Sequence, residues 1–288
     1  MSLQNKPVKN DTSFWDSRRG FIHTKKGGWV INEAIHNHGY SMLDDLVGTA
    51  SFFQVLFLNV TGRLPKRKLT DWLEAYFICL SWPDPRIWCN QAGSLAGTMQ
   101  TSPLAAVGAG ILASDSIMYG PRTTMEATKF ITTALTKKKK GISVEEIIAE
   151  KQRTPSSSPK IIGYIRPLAI GDERVPAMER VTKNLGFEVG EHLALAYEIE
   201  EVLIEKFNER MNIGGYRCAF LSDQGLTSIE IYRLLSPVVH AGVLACYTEA
   251  NDSPPETFFP LRCGDIDYQG KMPRPVPQAS SSQQKNIL

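Results

Sequence analysis

The chain has 288 residues, 42% of them hydrophobic and 22% charged, and a formal net charge of +2. Those figures allow a sizeable core in one large domain or two unequal ones. The near-neutral balance leaves no electrostatic footprint for nucleic acid or an anionic membrane surface, so neither is expected as a partner.

The first twenty residues are polar, without the apolar stretch of a secretory signal. No run approaches the ~18 uncharged apolar residues of a membrane span. Five cysteines stand at 79, 89, 218, 246 and 263, with no CxxC pair and no His at ligand spacing. Reduced thiols in the cytoplasm are therefore expected, and neither a disulfide framework nor a metal site. Residues 1–17 and 273–288 read as flexible ends.

Between them the periodicity is mainly helical. Residues 42–60 place apolar side chains at Leu43, Leu46, Val47, Phe52, Phe53, Val55, Leu56 and Leu58, and Gly62 with Pro65 stops the run. Residues 69–80 repeat Leu69, Trp72, Leu73, Tyr76 and Phe77 three and four apart. Trp82-Pro83-Asp84-Pro85 is a rigid break. Residues 87–99 and 103–118 follow as helices rich in Ala and Gly, the second suited to a tightly packed interior. A further helix covers 124–135, and Ser143 with Glu146 forms a capping box. Residues 137–140 are four lysines, read as a solvated loop or a landing site for a phosphate-bearing ligand. After a Ser/Pro linker at 153–159, helices are expected at 174–185, 191–211 and 228–247. The strand candidates are 29–31, 160–163 and 265–268, so the class is all-α.

Three segments interrupt good helices with Gly, Pro and polar residues, as functional loops do. They are Ser116-Ile-Met-Tyr-Gly-Pro-Arg122, the stretch from Lys160 to Arg174, and Asn212-Ile-Gly-Gly-Tyr-Arg-Cys218. In this order and at this spacing they resemble the citrate synthase family, in a divergent, citryl-CoA lyase-like form. Tyr119-Gly120-Pro121 matches the family's His-Gly-Gly. Ile162-Gly163-Tyr164-Ile165-Arg166 matches Pro-Gly-Tyr/Phe-Gly-His. Asp172-Glu173-Arg174 matches Asp-Pro-Arg, and residues 212–218 match Asn-Val-Asp-Phe-Tyr-Ser-Gly. His38-Gly39-Tyr40, Ser51-Phe52, residues 58–65 and Tyr268-Gln269-Gly270 extend the likeness to both ends.

The resemblance implies a helical homodimer, or a pairing with a paralogous subunit. The large domain would be 18–122 plus 216–272, and the small domain 123–215, closing over a cleft. It implies an acyl-CoA and a small carboxylate as ligands, CoA thioester being a co-substrate, with no tightly bound cofactor. The family's chemistry is a Claisen-type condensation. A carboxylate takes the thioester methyl proton, one His hydrogen-bonds the developing enol, and another polarises the acceptor carbonyl.

Here all three groups are replaced. Tyr119 and Arg166 stand at the His positions and Gly214 at the Asp position. A phenol of reference pKa ~10 is a poor base near neutrality, and an arginine cannot take a proton. What remains suits binding. Ile161, Ile162, Gly163 and Tyr164 match the loop that reads the adenine of CoA, and Arg174 matches the Arg that clamps a substrate carboxylate. Arg262 is a looser match to a later carboxylate-binding Arg, while Arg122 and Arg217 add cations beside the motifs. Tyr119 is either a packed aromatic or an oxyanion donor, and Asp223 either a helix cap or a substitute base. His240 reads as a satisfied core or interface residue, and His192 as exposed. Two functions follow: an acyl-CoA transferase or related lyase with non-standard residues, or an inactive member acting as a CoA/carboxylate sensor or partner subunit.

Overall fold

The computed structural model describes residues 11–154, 156–166 and 169–276. The flexible ends expected at 1–17 and 273–288 fall largely outside them. Within 11–17 the chain makes one helical turn, α1 (Ser13–Asp16). An antiparallel ribbon follows, of β1 (Gly27–Val30), β2 (Ala34–Asn37) and β3 (Tyr40–Ser41) in that order. Of the expected strands only 29–31 falls in it. Residues 160–163 are turn and extended coil, and 265–268 begins at the end of a 3₁₀ turn (Cys263–Asp265), because neither segment has a neighbour to pair with.

The run 42–60 is not one helix. A π-helical turn (Met42–Leu46) is followed by Gly48 in the left-handed region, and then by α2 (Phe52–Thr61). Ser51 and Gln54 cap α2 reciprocally, and Gly62 closes it in the left-handed conformation. Next come α3 (Arg67–Cys79), α4 (Trp88–Thr98) and α5 (Pro103–Ser114). After Gly120, α6 (Pro121–Lys138) runs to α7 (Val144–Ala149), which the Ser143–Glu146 capping box opens as expected. The chain then continues through α8 (Arg174–Asn184), α9 (Glu191–Phe207), α10 (Ile213–Asp223), α11 (Ser228–Leu235) and α12 (His240–Asp252).

The helix expected at 228–247 is two helices, because Pro237 cannot supply an amide to the ladder. Taken as one stretch, Ser228–Asp252 has the length and composition of a membrane span, and 44% of its most apolar window is buried in the fold. The helix expected at 191–211 stops at Asn208, which takes the left-handed conformation.

The core forms where α3, α8, α9 and α10 meet. Trp72 stacks on Phe220 at 4.1 Å. Its indole N–H donates to Thr182 (2.7 Å), whose hydroxyl shares a 2.7 Å hydrogen bond with Tyr216. Each buried aromatic contributes roughly 2–3 kcal/mol of transfer free energy, and the internal polar partners avoid an unsatisfied donor.

A second cluster packs α4, α5 and α12. A Cβ at Gly93 would stand 2.7 Å from the Val243 carbonyl oxygen, and one at Gly97 3.0 Å from the Asn251 nitrogen. Glycine is therefore what lets α4 lie against α12. The interior role expected for 103–118 does not hold within one chain. The helix ends at Ser114, one face meets α4 and α12, and Leu104 and Leu112 on the remainder are 85% and 79% exposed.

Candidate functional site

The first motif is a corner forced by one residue. Gly120 has φ of +81°, and a Cβ there would lie inside the van der Waals radius of the Ser114 carbonyl oxygen. The chain therefore turns tightly between α5 and α6, with Pro121 at the first helical position. That turn delivers Tyr119, half-buried, edge-on to Trp88 (5.9 Å) and 4.0 Å from the Cys89 sulfur. Burial, followed by the neighbouring Cys89, pushes the phenol well above its ordinary range. Burial also raises the Cys89 thiol. Both groups keep their protons, so Tyr119 can donate a hydrogen bond but cannot act as a base.

The second motif is pinned onto α10. Ile161 and Tyr164 are buried, and the Tyr164 hydroxyl donates to the Ala196 carbonyl (2.9 Å). Between these anchors Gly163 takes φ of +110° and touches α10 backbone to backbone; a Cβ there would be 2.9 Å from the Gly215 Cα. Its carbonyl accepts from the Asn212 amide (2.8 Å), and the Asn212 side chain donates to the Ile165 carbonyl (2.8 Å). The same Asn212 caps α10, its Oδ1 accepting from the Gly214 and Gly215 amides at 2.8 and 3.2 Å. Ile162 and Ile165, 37% and 41% exposed, are left at the surface of this pinned loop.

Asp172 ties in the third segment. Its buried carboxylate accepts from Arg174 Nε and Nη2, each at 2.8 Å, and from the Ile213 amide at 2.9 Å. Burial alone would raise this carboxyl, but the Arg174 fork and the Ile213 amide outweigh it, and the net shift is downward. Arg166 is held bidentately by Glu173 (2.5 and 3.0 Å) and also donates to the Gly171 carbonyl (3.1 Å). This pairing pulls the Glu173 carboxyl down to about 2. Both arginines are thus oriented by carboxylates of the chain itself. Arg174 still acts electrostatically on Tyr119 and on Tyr76.

The fold therefore brings together Tyr119, the 161–166 loop, Arg174 and the start of α10. Among the described residues, no hydrogen bond or ion pair ties Arg122 or Arg262 to them. Arg122 is exposed and acts on Tyr232, which donates to Asp115 (2.9 Å). Arg262 lies on the exposed segment after α12, its backbone amide bonded to Asp265 (2.7 Å). Among the described residues, no hydrogen bond or ion pair joins it to Arg166, Arg174 or Tyr119.

Two alternatives resolve. The Asp223 carboxylate accepts from the His192 amide (2.8 Å), the Leu193 amide (3.0 Å) and His192 Nδ1–H (2.8 Å). It caps α9 from a distance, in the space that a side chain at Gly190 would occupy. His192 is accordingly half-buried rather than exposed, and His240 is exposed rather than a core residue. Of the lysine run, Lys137, Lys138 and Lys139 pair with Glu150, Glu198 and Glu191, which fixes α6 to α7 and α9.

Sequence reasoning missed the organising role of Asp172. The available signal was an Asp two residues before an Arg, at a helix start.

No family model matches the sequence, and no curated protein matches it. Solved structures do match. A citryl-CoA lyase from Hydrogenobacter thermophilus aligns with a TM-score of 0.76 over 92% of this chain and 99% of its own, at 24% identity. The ATP citrate lyase from Methanothrix soehngenii, solved with citrate and coenzyme A, gives 0.73 at 15% identity, covering 95% of this chain but 46% of that one. The citrate synthase from Thermoplasma acidophilum, solved with carboxymethyl coenzyme A and oxaloacetate, gives 0.58 at 14% identity, over 81% of this chain and 60% of that one. The chain has the citrate-synthase-like helical fold that its motifs imply.

Proposed function

We propose that the chain binds a CoA thioester together with a small di- or tricarboxylate, and holds them without ordinary citrate-forming chemistry. The observation that carries this reading is the convergence of loop 161–166, Arg174 and the first turn of α10 on one oriented cluster with no proton acceptor at the three chemical positions. The residues present fit CoA. Ile162 and Ile165 offer an apolar surface beside backbone that Gly163 brings to α10, which suits a purine ring. Arg174 uses Nε and Nη2 on Asp172, so its Nη1 edge is the one that would meet a ligand carboxylate. The neighbours solved with coenzyme A and with citrate or oxaloacetate support the same pair of ligands.

The cleft would lie between residues 123–215, as a small domain, and the large domain formed by 18–122 and 216–272. The apolar surface that one chain leaves open supports a homodimer. On α5 that surface includes Leu104 and Leu112, on α4 Leu95, and just after α4 Met99. Cys79, Cys89, Cys218 and Cys246 are unbridged, which accords with a reducing, cytoplasmic setting.

A second reading, carbon–carbon bond cleavage with non-standard residues, is favoured by the match to a citryl-CoA lyase over 99% of that chain. The two are separated by incubating the protein with acetyl-CoA plus oxaloacetate, and separately with citryl-CoA, while following oxaloacetate and free CoA. Binding without conversion supports the first reading. Conversion of citryl-CoA above the uncatalysed rate replaces it with the second.

A further inference from the structure

Arg217 stands apart from the other arginines of the cluster. It is 5% exposed, yet no carboxylate pairs with it among the described residues. Its Nη1 donates to the Tyr76 hydroxyl and its Nη2 to Thr124 Oγ1 (2.7 Å), with the Cys218 sulfur 3.9 Å away. Nε has no hydrogen-bond partner. Burial alone would lower this guanidinium's pKa, but its Tyr76 and Cys218 neighbours leave it raised, so it stays charged. A buried cation without a counter-ion is costly, and proteins keep one where a ligand supplies the missing charge. Arg174 shows the satisfied arrangement in the same cluster, with Nε and Nη2 together gripping one carboxylate.

The gap beside this guanidinium is one turn back on α10. Gly214 has no side chain and is half-buried, so the position is open to solvent. A Cβ built there would stand 3.8 Å from Arg217 Nη2. Arg217 Nη2 thus lies beside the vacant side-chain position of Gly214.

We propose that Arg217 is a ligand-binding residue that takes a carboxylate carried by the ligand into the space at Gly214. The inference deepens the binding reading above by naming the charge this part of the cleft recognises. Where a carboxylate side chain at 214 would supply a base, this chain offers a cation in its place. Its ligand therefore brings its own carboxylate to the first turn of α10.

The test uses malonate as the probe and the neutral malonamide as its isostere, titrated calorimetrically into the full chain. Arg217→Met keeps volume and removes the charge, while Gly214→Asp tethers a carboxylate beside the guanidinium. Gly214→Asn adds the same bulk without charge, and so controls for the crowding of Asn212 Oδ1, 2.9 Å from the new Cβ. Malonate should bind and malonamide should not. Arg217→Met and Gly214→Asp should each weaken malonate by more than about tenfold, the loss of a charge-assisted hydrogen bond, and Gly214→Asn should weaken it less than Gly214→Asp. Because Arg217→Met can also perturb packing, Gly214→Asp carries the test independently. Wild-type malonate affinity in both charged-pair variants, or equal binding of malonamide, overturns the proposal. CoA titrated into the same samples separates the two levels: CoA binding with malonate unaffected by Arg217 removes this inference and leaves the broader reading standing.

Discussion

Replacing Asp172 with Asn removes one negative charge and almost no volume from a side chain that is wholly buried. In the native chain the carboxylate accepts from four N–H groups: the Arg174 amide, Arg174 Nε and Nη2, and the Ile213 amide. An amide cannot accept on both sides, so its NH₂ must face a guanidinium N–H whichever way it turns, together with the Arg174 amide or the Ile213 amide. Removing one partner of a buried ion pair costs about 3–5 kcal/mol. Arg174, 25% exposed, recovers part of this from water, so about 2–4 kcal/mol is expected. For a chain of 288 residues that is roughly a 3–7 °C fall in Tm at neutral pH.

The pH dependence has a definite sign. The folded carboxyl is depressed, so its stabilisation is present above the unfolded value of ~3.9 and is lost as pH falls through the lower folded value. The difference between wild type and Asp172→Asn should therefore shrink as pH drops below about 4. Glu173→Gln is the internal comparison. It breaks an equally well-formed pair with Arg166, but Glu173 is 68% exposed, so less than about 1 kcal/mol is expected. Thermal unfolding of the three proteins at pH 7 and at pH 3.5 measures all of this. Equal Tm values for Asp172→Asn and Glu173→Gln would refute the argument that burial makes Asp172 the organising carboxylate.

Other outcomes follow from the same geometry. Gly163→Ala would press a Cβ to 2.9 Å of the Gly215 Cα at φ +110°, so CoA affinity should fall while the far-UV circular dichroism spectrum stays native. Asp223→Ala should lower stability by about 1–2 kcal/mol through the lost α9 cap, with acetyl-CoA binding intact; loss of binding in a folded variant would return Asp223 to the site. Leu104→Glu with Leu112→Glu should convert a dimer to monomer by light scattering, and a wild-type chain that is already monomeric at micromolar concentration contradicts the homodimer.

Much of the fold was legible because amphipathic helices leave a periodic trace. Trp72, Leu73 and Tyr76 read correctly as one buried face of α3, and the Ser143–Glu146 capping box marked α7. Helix α10 was not legible. Nearly every residue from Gly215 to Ser222 is buried, so the segment has no polar face to create a period, and its Gly-Gly start reads as loop. The exposed side of α5 was hidden for the opposite reason: Ala, Gly and Leu look the same in an interior helix as in one awaiting a partner surface.

The candidate site was legible as three motifs in order, but not as a network. Arg166 and Arg174 read as free cations until the fold placed Glu173 and Asp172 against them. Arg217 read as one more cation, and its burial without an ion-pair partner among the described residues emerged only from the fold. Asp223 could not be recognised as the α9 cap, because its partners lie thirty and thirty-one residues earlier.

The measurement that tests the central claim most directly is a calorimetric titration of the full chain with acetyl-CoA, in the presence and absence of oxaloacetate. The account predicts micromolar binding of the thioester, tighter when oxaloacetate is present, with no CoA released. Absence of heat at millimolar acetyl-CoA, or steady release of CoA once oxaloacetate is added, would contradict it.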